Sequence, residues 1–212
     1  MKTLEEININ SLEIDIDYAL GVHALRARLK EDIKMFENAA QCAKKGLEIA
    51  RINYNYERML ELYIILADIY ISSHKLHRAK SCLEAGIVLK NKITRRHWLI
   101  LDAYLKLGVV HFKIKDNSSS RKYLQEARKI AEKENAVLKY AQAMLFTAKT
   151  FVPDRKYEEA LSKFEEVIKL RTNEETYLEA LEGLMQVYLL LGDNVNYIKY
   201  SKLYYKAQGF DL

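Results

Sequence analysis

Apolar residues recur along the chain in a helical pattern with a period of about 40 residues. In its clearest form, Tyr63-x-x-Leu66-Ala67-x-x-Tyr70, two large residues flank an aliphatic residue and a small one. Spacings of three and four place such residues on one face of an α-helix. Related segments follow at residues 104–111, 144–151 and 181–188. The pattern therefore predicts a series of similar helices.

A second helical pattern lies between these segments. Residues 36–46 and 76–86 align at an offset of 40, with alanine, cysteine and glycine in register. Further copies occupy residues 120–127 and 157–167. Self-similarity at such a period is typical of repeats in which each unit is a pair of helices.

Small residues at fixed positions of both patterns indicate close helix packing. Ala67, Gly108 and Ala148 would let the first helix of a pair approach its neighbour, and Ala39, Ala79 and Ala160 would do the same for the second. Large side chains such as Phe164 would fill the space beside these contacts. One pair cannot bury its apolar face alone, so several pairs are expected to stack.

The alternation of the two patterns predicts an all-α chain of about five helix pairs. Their expected bounds are residues 18–51, 56–90, 96–134, 137–170 and 174–208. Residues 1–17 alternate apolar and polar positions in a strand-like way with no evident partner, so they are expected to form an irregular leader. The helical repeat domain would then cover residues 18–212.

Several residues predict where helices begin and end. Pro153 is expected to end one helix, since proline lacks a backbone N–H and fits poorly in a helix interior. Gly192 followed by Asp193 is expected to stop another. The serines at 118–120 are candidates to cap the second helix of the third pair.

These residues resemble the tetratricopeptide repeat (TPR), whose pattern is W-x₂-L-G-x₂-Y, then A-x₃-F, then P. The resemblance covers roughly residues 20–208, but the period is near 40 rather than about 34, and the closing proline is absent. The long repeats are also similar to the sensor domains of Rap/PlcR-type peptide-pheromone receptors. The resemblance implies a right-handed α-solenoid that binds a polypeptide in its concave groove, without catalysis.

The amino-acid composition agrees with a helical chain and disfavours a β-fold, a disulfide-rich protein and a membrane protein. Only 7 Gly and 1 Pro are present, too few for the frequent turns of a β-sandwich or barrel. Two cysteines, Cys42 and Cys82, do not make a disulfide framework and are expected to be small packing residues. No apolar run approaches the roughly 18 residues of a membrane span, and no signal peptide begins the chain, so a cytoplasmic protein is expected.

No motif for catalysis, a cofactor or a metal is found. The spacing His74-x-x-His77 can place two imidazoles on one helix face, but a metal needs further ligands, and a polar turn is the expected role. His23 and His111 fall at packing positions of the repeat. The net charge of +5 is spread along the chain, and its densest patch, near Arg95 and Arg96, comes without a nucleic-acid reading element.

Projection of the repeat onto the TPR fold gives candidate groove residues on the first helix of each pair. They combine apolar, amide and charged side chains, which suits an extended or helical peptide. The candidates are Asp68, Asp102, Leu105, Lys106, Phe112, Lys113, Gln142, Leu145, Lys149 and Gln186.

The sequence thus favours a non-catalytic module that binds a protein or short peptide, with peptide sensing in a regulatory protein as one form of it. A scaffold or adaptor subunit of a multiprotein assembly is the alternative, and a nucleic-acid-associated regulator is disfavoured. In the last helix, Tyr197, Tyr200 and Tyr204 share one face. They are expected to pack on the preceding helix, with a homodimer contact as the competing interpretation.

Overall fold

The computed structural model describes residues 15–210, and within this range the chain forms ten α-helices, one 3-10 helix and no strand. The 3-10 helix is Lys90–Lys92. The α-helices are α1 (Ile16–Asp32), α2 (Phe36–Ile52), α3 (Tyr56–Ser72), α4 (Leu76–Ile87), α5 (His97–Lys113), α6 (Asn117–Lys133), α7 (Val137–Phe151), α8 (Tyr157–Leu170), α9 (Glu174–Leu191) and α10 (Asn194–Ala207).

The predicted helix pairs are confirmed, and every predicted bound lies within about three residues of an observed one. The predicted leader lies outside the described residues as far as residue 14, and α1 begins at Ile16. As expected, α7 ends two residues before Pro153. Gly192 caps the C-terminus of α9 in the left-handed conformation, at φ 72°.

The helices form two compact units whose boundary falls inside α5, between Lys106 and Leu107. In the first unit α1, α2 and α3 each pack on the next helix along the chain, and α1 also contacts α3. In the second unit α6 to α10 pack in the same sequential way, and α7 also contacts α9. Each unit therefore buries its core between neighbouring helix pairs, as a helical repeat does.

Small residues lie at the helix contacts, as the repeat predicts. Ala39, Ala67, Ala79, Ala148 and Ala160 are all fully buried. A β-carbon built on Gly86 would lie 2.9 Å from Leu60 Cδ1, and one on Gly108 would lie 2.5 Å from Leu124 Cγ. Both distances are shorter than van der Waals contact, so the partner side chains occupy the space that the missing side chain leaves.

From the second pair onwards, the first helix of each pair buries more residues than the second. In α3 nine residues are buried, whereas in α4 only Ala79, Leu83 and Gly86 are. The first helix is packed on more than one side and is apolar over most of its circumference. The second helix is amphipathic and keeps a polar face in water.

Most consecutive helices, within a pair and between pairs, are joined by tight turns. Each of these turns contains one non-glycine residue in the left-handed conformation. These residues follow each other at intervals of 20, except between His74 and Lys115, where the longer connection of residues 88–96 intervenes. In each turn the next residue donates its backbone N–H to a carbonyl five residues back, as Met35 does to Lys30 at 2.8 Å. This bond ends the helix and satisfies one of its last carbonyls. The residues are Lys34, Tyr54, His74, Lys115, Asn135 and Arg155, with φ between 52° and 65°.

Replacing Lys34 by glycine is expected to stabilise the protein by about 0.5–1 kcal/mol, because glycine adopts a left-handed conformation without steric cost. Lys34 is exposed and has φ 60°. Urea denaturation followed by circular dichroism measures the change. The control is Gln41→Gly, at an exposed position inside α2, where glycine should destabilise by about 1 kcal/mol. Equal losses of stability in both variants would contradict the steric cost assigned to the left-handed conformation of Lys34.

The serine caps predicted for α6 are wrong. Asp116 is the N-cap, and its Oδ1 accepts the backbone N–H of Ser119 at 3.1 Å. Ser120 is buried instead and donates its hydroxyl to the carbonyl oxygen of Gly108 at 2.7 Å. An aspartate two residues before the first of these serines offers a charged acceptor at the helix start, and the N-terminal end of the helix dipole stabilises its charge.

Candidate functional site

The candidate groove residues divide between the two units. Asp68, Asp102, Leu105 and Lys106 lie in the first unit, on α3 and α5. The second unit holds the other six, Phe112, Lys113, Gln142, Leu145, Lys149 and Gln186. The surroundings of the two sets differ.

In the first unit the charged candidates pair with each other. Lys106 Nζ lies 2.6 Å from Asp68 Oδ1 and 3.9 Å from Asp102 Oδ2. Burial raises the pKa of Asp68 more than the ammonium group lowers it. Burial also acts to lower the pKa of Lys106, but the carboxylates of Asp68 and Asp102 outweigh it and raise that pKa. Lys106 therefore neutralises partly buried carboxylates, and its charge is already used inside the protein.

A third carboxylate belongs to the same region. Glu31, on α1, accepts a hydrogen bond from the Ser72 hydroxyl at 2.7 Å, and burial raises its pKa. Leu105, which was predicted to face a ligand, is only 6% exposed. In the first unit the candidate residues thus form an internal charge cluster beside a buried leucine.

In the second unit a groove of about 920 Å³ opens between residues of α5, α7, α8 and α9 and the turns that follow α5 and α7. Its apolar walls come from Phe112, Val152, Pro153, Tyr157 and Leu190. The ring of Phe112 meets that of Phe146 edge-on, with centroids 6.2 Å apart, which fixes its orientation. We call this site the α5–α9 groove.

Polar residues complete the lining of the α5–α9 groove. The amide side chains are Asn117 and Gln186. The charged ones are Lys113, Lys115, Lys149, Arg155, Glu179 and Glu182, and four cations against two carboxylates leave a formal charge of +2. An apolar wall with a few converging polar groups is typical of a ligand site, and the volume lies in the usual range of about 300–1,000 Å³.

Both carboxylates of the groove have partners within the protein. Glu179 forms an ion pair with Lys149, whose ammonium also lies 5.0 Å from the centre of the Phe146 ring. Glu182 accepts a hydrogen bond from the Tyr204 hydroxyl at 2.7 Å. Among residues 15–210, by contrast, no carboxylate lies within ion-pairing distance of Lys113, Lys115 or Arg155.

A polar network holds one end of the groove. Asp154, in the turn after α7, accepts hydrogen bonds from Asn117 at 3.0 Å and from Arg121 at 2.7 Å. These two hydrogen bonds hold the pKa of Asp154 below its ordinary value. Arg121 also lies over the ring of Phe151, 5.2 Å from its centre. The network fixes the turn that carries Arg155 against the start of α6.

Four candidates predicted from the sequence therefore meet in one site: Phe112, Lys113, Lys149 and Gln186. Gln142 is half-buried and does not line the groove, and Leu145 is only 2% exposed. The groove residues that the sequence did not predict include Lys115, Val152, Arg155, Tyr157 and Leu190. They lie in turns or near helix ends, where no periodic pattern points to them.

Two tyrosines of α10 pack on neighbouring helices. Tyr200 is 8% exposed, stacks on Tyr188 with centroids 5.5 Å apart, and donates its hydroxyl to Glu165 at 3.1 Å. Tyr204 donates to Glu182, as described above. The packing interpretation is thus confirmed for both residues.

Part of the basic loop before α5 is neutralised within the first unit. Arg96 pairs with Glu61 at 3.0 Å, and Glu57 accepts the backbone N–H of Arg95 at 2.8 Å.

The histidines and cysteines lie at packing and turn positions. His111 is 3% exposed, lies against the ring of Tyr123 at a tilt of 36° and contacts Asp116 through Nδ1 at 3.0 Å, so its predicted packing role is confirmed. His74 lies in the turn between α3 and α4. Both cysteines are free and half-buried, and burial raises the pKa of Cys82 to about 11.

The part of the chain that the structure describes contains no group of three His, Cys, Asp or Glu side chains placed to hold a metal ion. None of its helices combines the length and apolar character that crossing a membrane requires.

No family model and no curated protein matches the chain by sequence. Solved structures do match, and they include TPR and TPR-like repeat proteins. BtubC (BKLC) from P. vanneervenii has a TM-score of 0.81 at 12% identity, over 92% of this chain and 81% of BtubC. YrrB, described as a TPR protein with an unusual peptide-binding site, has a TM-score of 0.61 at 16% identity, over 97% of this chain and 90% of YrrB.

A Rap protein complexed with competence and sporulation factor has a TM-score of 0.69 at 19% identity. The match covers 93% of this chain but only 55% of the Rap protein. At such identities the likeness establishes the fold. The predicted fold class, an all-α solenoid of TPR-like helix pairs, is therefore confirmed, as is the resemblance to Rap proteins at the level of fold.

Proposed function

We propose that the protein is a binding module that holds a peptide segment in the α5–α9 groove, without a catalytic step. The observation that carries the proposal is the groove itself: about 920 Å³ with aromatic and aliphatic walls, two amide side chains and an excess of cations. Apolar walls give affinity for side chains, and amide groups can both donate to and accept from a peptide backbone.

The solved structures support this proposal by analogy. YrrB is named for its peptide-binding site, and the Rap protein is seen with competence and sporulation factor. A peptide-sensing regulatory role is the finer form of the proposal, in which an imported or internal peptide occupies the groove. The chain spans about half of the length of that Rap protein. That such a regulator would also contain an output domain is therefore part of the proposal.

A second candidate is a scaffold or adaptor subunit that binds a folded partner, including a second copy of this chain. Exposed apolar side chains near the end of the second unit favour it. Leu189 is 62% exposed, Val195 79% and Ile198 53%. Such residues are costly to leave in water when they form a patch, and patches of this kind are common at protein interfaces.

Gln186→Ala is expected to weaken peptide binding about 2- to 10-fold, the usual effect of losing one hydrogen bond. Gln186 is exposed and lines the groove. The measurement is fluorescence anisotropy with labelled peptides of about six residues, selected for binding from a random library. The matched control is Gln125→Ala, an exposed glutamine on α6 outside the groove. Failure to select any binding peptide, or equal binding by both variants, would count against the groove.

A further inference from the structure

We infer that the ligand of the α5–α9 groove carries a carboxylate, which sits among Lys113, Lys115 and Arg155. The ligand class is thus an acidic peptide, whose carboxylate is an Asp or Glu side chain or the C-terminus. This inference rests on the proposed function and adds the charge of the ligand to it. It does not follow from the similarity in fold to other proteins, because it depends on residues in the turns of this chain.

Lys113, Lys115 and Arg155 carry the positive charge of the groove that has no partner among the groove carboxylates. All three line the groove, and no carboxylate of the described residues is within ion-pairing distance of any of them. The fourth cation, Lys149, is already paired with Glu179, and Glu182 is held by Tyr204. The groove carboxylates therefore do not neutralise the charge at Lys113, Lys115 and Arg155.

Two aspartates stand in the same turns as these cations, but both are used elsewhere. Asp116, next to Lys115, caps α6 through Ser119 and contacts His111. Asp154, next to Arg155, accepts from Asn117 and Arg121. Their hydrogen-bonding partners hold them away from the neighbouring cations, so an incoming carboxylate meets a net positive region.

The backbone fixes the positions from which these cations reach the groove. Lys115 and Arg155 are the left-handed residues of their turns, with φ 65° and 58°. Lys113 is the last residue of α5. Like charges that line one groove raise the electrostatic energy of the free protein, and a bound anion lowers it. The apolar walls beside them favour a carboxylate attached to apolar residues, as in a peptide, over a bare polyanion such as a nucleic acid.

The test uses labelled hexapeptide pools with random apolar residues and two positions fixed as Glu, Gln or Lys. Each pool is made with a free and with an amidated C-terminus, and a single-stranded DNA oligonucleotide serves as a bare polyanion. Fluorescence anisotropy gives the affinity at about 50 mM and about 200 mM NaCl, since screening weakens exposed charge pairs. We expect the Glu pool to bind at least about five-fold more tightly than the Gln pool. Binding of the Glu pool should be weaker at the higher salt concentration. Loss on amidation would assign the carboxylate to the C-terminus, and retention would assign it to a side chain.

The groove variant is Lys113→Gln with Arg155→Gln, which should remove the preference for the Glu pool. The matched control is Lys122→Gln with Lys133→Gln, two exposed lysines of α6 that do not line the groove, and it should keep the preference. All four lysine and arginine positions are exposed, so folding, checked by circular dichroism, should be unchanged.

Three results would overturn the inference. Equal binding of all pools, or tightest binding of the Lys pool, would leave a peptide groove without a carboxylate site. Tighter binding of the DNA, lost in the groove variant, would replace the peptide with a nucleic acid. Binding of no probe at all would remove the proposed function together with the inference.

Discussion

Gly183→Ala is expected to destabilise the second unit by about 1–3 kcal/mol, the usual cost of overpacking a core. A β-carbon at this position of α9 would lie under 3.0 Å from three ring atoms of Phe164. Phe164 is fully buried in the core of the unit, so moving its ring away from the new β-carbon would disturb the side chains packed around it. Urea denaturation followed by circular dichroism measures the loss.

The matched control is Gly21→Ala in α1, where the nearest atom to the new β-carbon would be 3.8 Å away. Here alanine should stabilise by about 0.5–1 kcal/mol, because it orders a helix interior better than glycine does. Adding Phe164→Leu to Gly183→Ala should recover part of the loss, since the smaller side chain makes room. An unchanged or raised stability for Gly183→Ala alone would show that the contact between α8 and α9 is loose.

Lys106→Met is expected to destabilise the first unit by about 1–3 kcal/mol at neutral pH, between the values for surface and for buried ion pairs. The change removes the only cation seen within 4 Å of Asp68 among the described residues, and leaves two partly buried carboxylates close together. The control is Lys129→Met, which breaks an exposed pair with Glu126 and should cost less than about 0.5 kcal/mol.

The loss in Lys106→Met should depend on pH. Burial already raises the pKa of Asp68, and removal of the ammonium should raise it further. The folded variant then binds protons more readily than the unfolded chain, so its stability falls as pH rises from the ordinary carboxyl pKa of about 4 through the raised one. The deficit should therefore be largest near pH 7 and shrink on acidification. A deficit that stays constant with pH would indicate lost packing of the lysine stem instead.

The sequence predicted the helix pairs well because their contacts depend on residue size. Ala79 and Gly86 are small where helices touch, and this requirement leaves a readable pattern in a single sequence. Apart from Asn135, the turn residues left no such signal. The turns place Lys34, Tyr54 or Arg155 in a left-handed conformation, in which glycine or asparagine would be expected. The stacked helices hold these turns in place without help from the turn residue.

The candidate site was predicted only in part, for a physical reason. The first helix of each pair is apolar on several sides, so spacing alone cannot separate a groove position such as Phe112 from a core position such as Leu145. The charged side chains posed a similar problem, since Lys106 is paired internally whereas Lys113 is not. Arg155 and Lys115 lie in turns, where their neighbours in space are far away in sequence.

Five of the helices, α1, α2, α3, α5 and α6, have the same length of 17 residues. An insertion of one residue inside such a helix would rotate everything beyond it by about 100° and move the small residues off their contacts. Evolution can therefore lengthen or shorten this chain most easily in its connections. The segment of residues 88–96, which is longer than the tight turns, is the natural place for such length variation among relatives.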